Sequence, residues 1–331
     1  MNGEHQAVPS KSLARTEGQS EHRPSGARRI AQDQGARKIF GFVTLLPVIL
    51  ILLITVGLIF RAWPIVKAHT LVQTIFGIVW KPDSGSFGFW PFIMGTAWVT
   101  IVGVLLSVPP CLLVAFYLSE YAHTVTRSVA KPILDLLAAI PPVVYGVWGL
   151  LAIVPFVQGF VAPLSKRWLS SIPLFRVNQP TGFTILTGGI VLAVMIAPLI
   201  ISVLYEILAA VPNDLRHASL AVGATRWQTI RNVVLPKVMP GIVAAVVLGA
   251  SRALGETIAV LMVVGNVPKV PSSIFDAAYP LPALIANNYG DMMSIPLYDS
   301  ALLGAALVLL VVILIFNVLS TLVLQQIIGR R

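Results

Sequence analysis

The chain has 331 residues, of which 56% are hydrophobic and 11% are charged, and its formal net charge is +10. A soluble domain carries about 25% charged residues. This deficit excludes an ordinary soluble domain and predicts an integral membrane protein. The single cysteine, Cys111, excludes an internal disulfide. Because the five histidines fall outside the apolar stretches, neither a metal site nor a histidine proton relay is expected within the membrane.

The first 38 residues contain seven Lys or Arg and four Asp or Glu, and few large apolar side chains. This composition predicts a disordered basic tail over residues 1–38. Anionic lipid headgroups would attract such a tail, although a tail that is merely solvated fits the same composition. No charged residue lies between Lys38 and Arg61, and this uncharged stretch predicts a first span over about residues 39–60.

Five further apolar stretches are long enough to cross a bilayer, which needs about 20 residues. They predict spans over about 93–118, 132–157, 183–209, 239–264 and 301–327. The chain is therefore predicted to be an all-α membrane protein with six transmembrane helices, its membrane domain covering residues 39–329. Lys and Arg near the span ends number 15 on the side of the N-terminus and 7 on the other. This excess predicts that both termini and the loop 210–237 are cytoplasmic.

The loop after the fourth predicted span is polar and amphipathic. Asn213 and Asp214 are suited to cap a helix, and Gly223 is suited to turn the chain. A second short helix is expected to stop at Pro236. We therefore predict two short helices at an angle, with an exposed turn for a partner protein. A helix that lies on the lipid headgroups is the alternative.

The fifth predicted span contains Arg252 and Glu256, which are costly at membrane depth unless they are paired or solvated. On a continuous helix, residues four apart share a face and can meet. Small residues, which allow close helix packing, recur at every fourth position of this span: Gly241, Ala245, Gly249 and Ala253. Three interpretations remain open for the charged pair: a structural ion pair, part of an anion pathway, or a water-exposed pair near the membrane edge. Arginine suits phosphate because its planar fork donates two hydrogen bonds to an oxyanion.

Residues 217–236 resemble the EAA loop of permease subunits in bacterial ABC importers, in which Glu-Ala-Ala precedes a glycine and a Leu-Pro pair at set spacing. Here His217 replaces the leading Glu and Ser219 replaces the second Ala. The resemblance implies the type I importer permease fold, with this loop as the coupling helix that docks into a groove on an ATPase subunit. The implied coupling residues are His217, Ala218, Ser219, Gly223, Ala224, Thr225, Leu235 and Pro236.

Two further stretches, Arg252–Val260 and Ile140–Gly149, resemble phosphate-specific ABC permeases of the PstC type. This resemblance implies a phosphate pathway that includes Arg252, Glu256 and Thr257. It also implies a place in the bacterial cytoplasmic (inner) membrane, surrounded by lipid. The implied protein partners are a related permease subunit of the PstA type, two ATPase subunits of the PstB type and a phosphate-binding protein of the PstS type. No nucleic-acid partner is expected.

The chain contains no Gly-x4-Gly-Lys-Ser/Thr phosphate-binding motif. ATP and Mg are therefore expected to bind the partner ATPase, and the chain itself is expected to hold no cofactor or metal and to catalyse no reaction. An ABC importer of another oxyanion or solute is the first alternative. An ion-gradient-driven secondary carrier is the second, although a carrier needs no EAA loop. A membrane scaffold that recruits an enzyme is the third, and it would not explain the charges in the fifth span.

Overall fold

The computed structural model describes residues 26–290 and 295–329. By its internal contacts, the chain divides into two units after Ile54. The described part of the first unit belongs to one long helix, α1 (Gly26–Ala68), whose residues 55–68 belong to the second unit. The apolar side chains of residues 39–54 are exposed, as expected for a helix whose surroundings are lipid or another membrane helix.

The start of α1 differs from the prediction, because residues 26–38 are helical rather than part of a disordered tail. This stretch is rich in Ala, Arg and Gln, which have favourable helix propensities. Extending an existing helix is also far easier than nucleating a new one, so the apolar helix continues into the polar segment that precedes it. The rest of the predicted tail, residues 1–25, lies outside the described residues.

The second unit is a helical bundle with short connecting elements. In chain order its further helices are α2 (Leu71–Phe76), α3 (Trp90–Phe116), α4 (Thr124–Ala138), α5 (Pro142–Trp148), α6 (Val154–Phe156), α7 (Ala162–Trp168), α8 (Ile185–Ala209), α9 (Asn213–Ala221), α10 (Arg226–Thr229), α11 (Leu235–Leu254), α12 (Ile258–Leu261), α13 (Leu281–Asn288) and α14 (Tyr298–Gly329). Turns of π-helix extend α3, α5, α6 and α10 at Tyr117–Tyr121, Gly149–Ile153, Val157–Val161 and Ile230–Val234. Between α2 and α3, β1 (Trp80–Lys81) and β2 (Ser86–Phe87) form an antiparallel hairpin that pairs Trp80 with Phe87.

Within the described residues, six stretches are long and apolar enough to cross a membrane. They are Gln34–Ala68, Trp90–Tyr121, Pro142–Trp168, Ile185–Ala209, Arg226–Leu254 and Tyr298–Gln326. The predicted all-α class with six spans is confirmed. Four of the spans overlap the predicted ranges closely, and the third and the fifth are displaced along the chain.

The third span starts at Pro142, ten residues later than predicted. Pro141 adopts an extended conformation (φ −60°, ψ 137°), because a residue that precedes a proline is disfavoured in the helical region. The predicted span 132–157 therefore combines the end of the separate helix α4 with α5 and the turns that follow it, up to α6. The Tyr145 hydroxyl donates a hydrogen bond to the Leu137 carbonyl (2.9 Å), which holds the two helices together across the break.

The fifth span starts at Arg226 and passes through Pro236 without a break, whereas the sequence predicted that Pro236 ends a short helix. The π-helical turn before it explains the difference. The Leu235 N–H donates to the Ile230 carbonyl, five residues back. In this turn the hydrogen bonds reach one residue further back than in an α-helix. The helix can therefore continue through Pro236, which has no N–H to donate.

Helix α8 packs against both α3 and α11 and has its apolar side chains buried along its length. Glycines permit the close approach of these helices. A Cβ on Gly189 would lie 2.4 Å from Val102 Cγ1, and a Cβ on Gly249 would lie 2.6 Å from Ile200 Cδ1. The small-residue face predicted in the fifth span is therefore a surface for helix packing against α8.

A second apolar cluster lies near the start of α3. It brings together residues of the end of α1, of α3, and of α13 and α14, including Ile65, Phe92, Leu281 and Leu302. With its π-helical turn, α3 is 32 residues long, which corresponds to about 48 Å. This cluster and the π turn Tyr117–Tyr121 therefore lie at opposite ends of the bundle.

Candidate functional site

The polar segment after α8 forms one short helix, α9, and a tight bend, as predicted, but the predicted second short helix, α10, is the start of the fifth span. α9 ends at Ala221, and Gly223 then adopts a left-handed φ of +88°, which favours glycine. A capping box starts α10. The Thr225 hydroxyl accepts a hydrogen bond from the Gln228 N–H (3.2 Å), and the Gln228 side chain accepts one from the Thr225 N–H (2.8 Å).

The residues predicted to cap α9 have a different position. Asn213 and Asp214 lie in its first turn, and Pro212 precedes the helix without a side-chain cap. The hydroxyls of Ser219 and Thr229 lie 3.0 Å apart and connect α9 to α10. Of the predicted coupling residues, His217, Ala218, Gly223, Thr225 and Pro236 are exposed, and Ser219, Ala224 and Leu235 are half-buried.

Large apolar side chains are exposed around the bend. Val222 is 85% exposed, Trp227 is 61% exposed, and Leu220 is also exposed. Such side chains grouped on a polar segment are typical of a surface that another protein covers. We call residues 213–236 the coupling segment. It combines a backbone held by internal hydrogen bonds with an apolar surface that is uncovered in the isolated chain.

Arg216 connects the coupling segment to the spans. Its Nη2 donates to Glu120 Oε1 (3.0 Å) and to the Leu208 carbonyl (2.8 Å), and its Nη1 donates to the Val211 carbonyl (2.6 Å) and to Asn213 Oδ1 (3.1 Å). Glu120 lies in the π turn that follows α3, and the Leu208 carbonyl belongs to the last turn of α8. One guanidinium thus holds together the ends of two spans and the start of the coupling segment.

Neither partner of this ion pair was predicted from the sequence. Glu120 and Arg216 are 96 residues apart, so no spacing rule connects them. One indication of this ion pair was present in the sequence, since an acid at the end of an apolar span needs a counter-charge. That rule does not identify which of several nearby arginines supplies it.

Arg252 and Glu256 form no ion pair with each other, which contradicts one of the three interpretations, the structural ion pair. α11 ends at Leu254 with Gly255 as its C-cap, so the two side chains are not on one continuous helix. Glu256 Oε1 instead accepts a hydrogen bond from the Ala259 N–H (3.3 Å) at the start of α12. Gly255 favours a helix end here, because glycine is unfavourable in a helix interior. The Glu256 carboxylate then stabilises the turn that follows, and the helix does not continue.

Arg252 is half-buried, and none of the described residues offers its guanidinium a hydrogen bond or an ion pair. A partly buried cation without a partner is unfavourable. Arg252 is therefore available to an anion. Thr257, the third predicted pathway residue, donates its hydroxyl hydrogen bond to the Gly255 carbonyl (3.2 Å) in the same helix break.

The two stretches that resemble phosphate permeases, residues 140–149 and 252–260, pack against each other. α5 contacts α12, and a Cβ on Gly146 would lie 3.1 Å from Ala259 Cα and 2.7 Å from Met262 Sδ. Residues 140–149 and 252–260 are more than 100 residues apart in the chain. The fold nevertheless places the break that contains Glu256 and Thr257 beside α5.

Asp276 organises the connection between α12 and α13. Its Oδ1 accepts a hydrogen bond from the Asn178 amide (2.7 Å), and its Oδ2 accepts from the Ser272 N–H and hydroxyl (both 2.9 Å) and from the Ser273 N–H (3.0 Å). Partial burial acts to raise the pKa of this carboxyl, but the hydrogen bonds outweigh burial and hold the pKa below its usual value. The sequence did not distinguish this acid from a solvated one.

Replacing Asp276 with alanine is expected to reduce the free energy of unfolding by about 1–3 kcal/mol at neutral pH, because donors lose their acceptor. Because the folded-state pKa is depressed, this stabilisation is present above the unfolded-state pKa and is lost as pH falls through the folded-state pKa. Melting temperatures in detergent from pH 7 to pH 3 test the expectation. The exposed Asp83→Ala provides the control, and a difference for Asp276→Ala that does not shrink at low pH would contradict it.

The described fold is that of a multi-span membrane protein with a structured, exposed segment at one end of its bundle. Residues 108–331 match the family described as binding-protein-dependent transport system inner membrane component. The chain belongs to this family, and is thus a permease subunit of an ABC importer.

The similar proteins agree with this family. The chain is 37% identical over 257 residues to the probable ABC transporter permease protein YqgH of Bacillus subtilis, covering 77% of this chain and 78% of that protein. It is 32% identical over 288 residues to the phosphate transport system permease protein PstC of Haemophilus influenzae, covering 85% and 90%. A chain of the inward-facing MetNI methionine ABC transporter matches with a TM-score of 0.50 and 21% identity, covering 72% of this chain and 94% of the other. The predicted ABC importer permease fold is confirmed.

Proposed function

We propose that the chain is the permease subunit of an ATP-driven phosphate importer in the bacterial cytoplasmic membrane. The observation that carries this proposal is that Arg252 is half-buried beside a helix break and that its guanidinium has no partner among the described residues. A guanidinium recognises an oxyanion with two parallel hydrogen bonds. The name of the PstC relative supports phosphate as that oxyanion, since the geometry of arginine does not distinguish phosphate from sulfate.

In this proposal Arg252, Glu256 and Thr257 line the pathway. Arg252 attracts the anion, while the carboxylate of Glu256 lowers the affinity so that phosphate passes on rather than remaining bound. The Thr257 hydroxyl is available as a second donor once it leaves the Gly255 carbonyl. A pathway needs binding that is strong enough for entry and weak enough for release.

The coupling segment is proposed to lie in the cytoplasm with both termini, and to dock into one of two ATPase subunits of the PstB type. A related permease subunit of the PstA type would complete the pathway, and a PstS-type binding protein would deliver phosphate from the other side. ATP and Mg bind the ATPase subunits. Closure of the ATPases would move the coupling segment and open the pathway outward, and hydrolysis would return it to the inward-facing state. The chain itself makes and breaks no covalent bond.

Reconstitution of the complete complex in vesicles tests the proposal. Labelled phosphate should accumulate only when ATP and the binding protein are both present, and unlabelled phosphate should compete better than sulfate or molybdate. If another oxyanion competed better than phosphate, the chain would belong to an importer of that oxyanion, with the same pathway residues. Uptake that is driven by a proton or sodium gradient without ATP would instead identify a secondary carrier.

A further inference from the structure

The link between Arg216 and Glu120 is more enclosed than the other ion pairs of the described residues. Their side chains are only 15% and 11% exposed. The neighbouring pair Lys131–Glu206 is 3.5 Å apart, with side chains 54% and 63% exposed. Exposed pairs of this kind contribute little, whereas an enclosed, charge-assisted arginine contact is strong and directional.

The same link joins three separate elements. Through the carbonyls of Leu208 and Val211, Arg216 is attached to the end of α8, and through Glu120 to the end of α3. The π turn that contains Glu120 is also attached to α4, because Arg127 Nη2 donates to the Ser119 carbonyl (2.6 Å). A displacement of α9 therefore pulls directly on the ends of two spans.

We propose that the Arg216–Glu120 ion pair is the rigid connection that transmits movement of the coupling segment to α3 and α8. This inference rests on the proposed ATP-driven function of the same segment. Arg216 and Glu120 are positioning residues, since neither is placed in the phosphate pathway. Without the ion pair, α9 keeps its attachment to the adjoining end of α8 but loses its hold on α3, and its movement is no longer shared by both spans.

The test uses Glu120→Gln in the reconstituted complex, because glutamine keeps the shape and one acceptor but removes the charge. We expect normal assembly and basal ATP hydrolysis, with about 10-fold less solute moved per ATP hydrolysed. The combined variant Glu120→Gln/Arg216→Gln should be no worse than the more impaired of its two single variants, because the ion pair between the two residues is already lost in either single variant. The matched control is Lys131→Gln/Glu206→Gln, which removes the exposed pair and should leave the ratio unchanged.

A purely structural role would reduce the amount of assembled complex and leave the solute-to-ATP ratio of the remaining complexes intact. That outcome, or an unchanged ratio in Glu120→Gln, would overturn the inference. Nitroxide labels on the exposed Asp214 of α9 and the exposed Leu105 of α3 add a readout that does not depend on the solute. The distance between the labels should stay constant when ATP is added to the wild type and should change in Glu120→Gln. If the wild type fails to move phosphate with ATP, the proposed function fails, and the label distances alone decide the inference.

Discussion

Arg252→Ala is expected to lower ATP-dependent phosphate uptake by about 100-fold or more, while the complex still assembles. Hydrogen bonds to a charged group contribute about 1.5–3 kcal/mol each, and about 1.4 kcal/mol corresponds to a factor of ten, so the loss of a two-bond contact is large. Assembly should survive because the described structure gives the Arg252 guanidinium no partner to lose. Uptake of labelled phosphate into vesicles, normalised to the amount of intact complex, provides the measurement.

Two further variants complete the test. One separates the charge of Arg252 from the planar geometry of its guanidinium, and the other is a control. Arg252→Lys keeps the charge but not the planar fork, so it should retain more uptake than the alanine variant and less than the wild type. Arg61→Ala removes an exposed arginine whose ion pair with Asp299 is long, at 3.4 Å, and should leave uptake unchanged. Dissociation of the Arg252→Ala complex would indicate a structural role, and undiminished uptake would remove Arg252 from the pathway.

Gly223→Val should uncouple ATP hydrolysis from transport without preventing insertion or folding of the chain. Gly223 has φ +88°, and no atom lies within 4 Å of a Cβ built on it. The effect therefore comes from backbone strain, about 1–2 kcal/mol for a side chain in the left-handed region, and not from a clash. Relief of that strain would reorient the exposed bend that carries Val222. The ratio of phosphate transported to ATP hydrolysed should fall several-fold.

Gly85 supplies the matched control for this variant. It has φ +69°, and a Cβ on it would also meet no atom within 4 Å. Gly85→Val therefore introduces a similar strain in the β1–β2 hairpin, away from the coupling segment. If both variants reduce the transport ratio equally, general destabilisation explains the effect. A Gly223→Val complex with normal coupling would contradict the role of the bend.

Several features were predictable because they depend on short stretches of sequence. The lengths of the apolar stretches determine the spans, so four of the six were located closely. The bend at Gly223 was predictable because glycine favours the left-handed region it occupies. The small residues of the fifth span indicated a packing face, and Gly249 and Ala245 lie buried within the bundle.

The errors at the third and fifth spans occurred where hydropathy does not show whether a helix breaks or continues. Pro141 interrupts an apolar stretch without altering its hydropathy, so the third span was placed too early. Pro236 has the opposite effect, because the π turn Ile230–Val234 lets the helix continue through it. A helical-face argument also paired Arg252 with Glu256, but it assumed a continuous helix, and the helix ends at Leu254.

By itself, the sequence determined the membrane class, the six spans, the bend of the coupling segment and the residues that resemble a phosphate permease. Only the tertiary structure decided which charges meet. It gave the Arg252 guanidinium no partner among the residues that the structure describes. It joined Arg216 to Glu120 across 96 residues and surrounded Asp276 with four donor groups. The physical reason is that apolar length and glycine conformation are local properties of the chain. An ion pair or a hydrogen-bond network depends on distances between distant segments, which are set by how the helices pack.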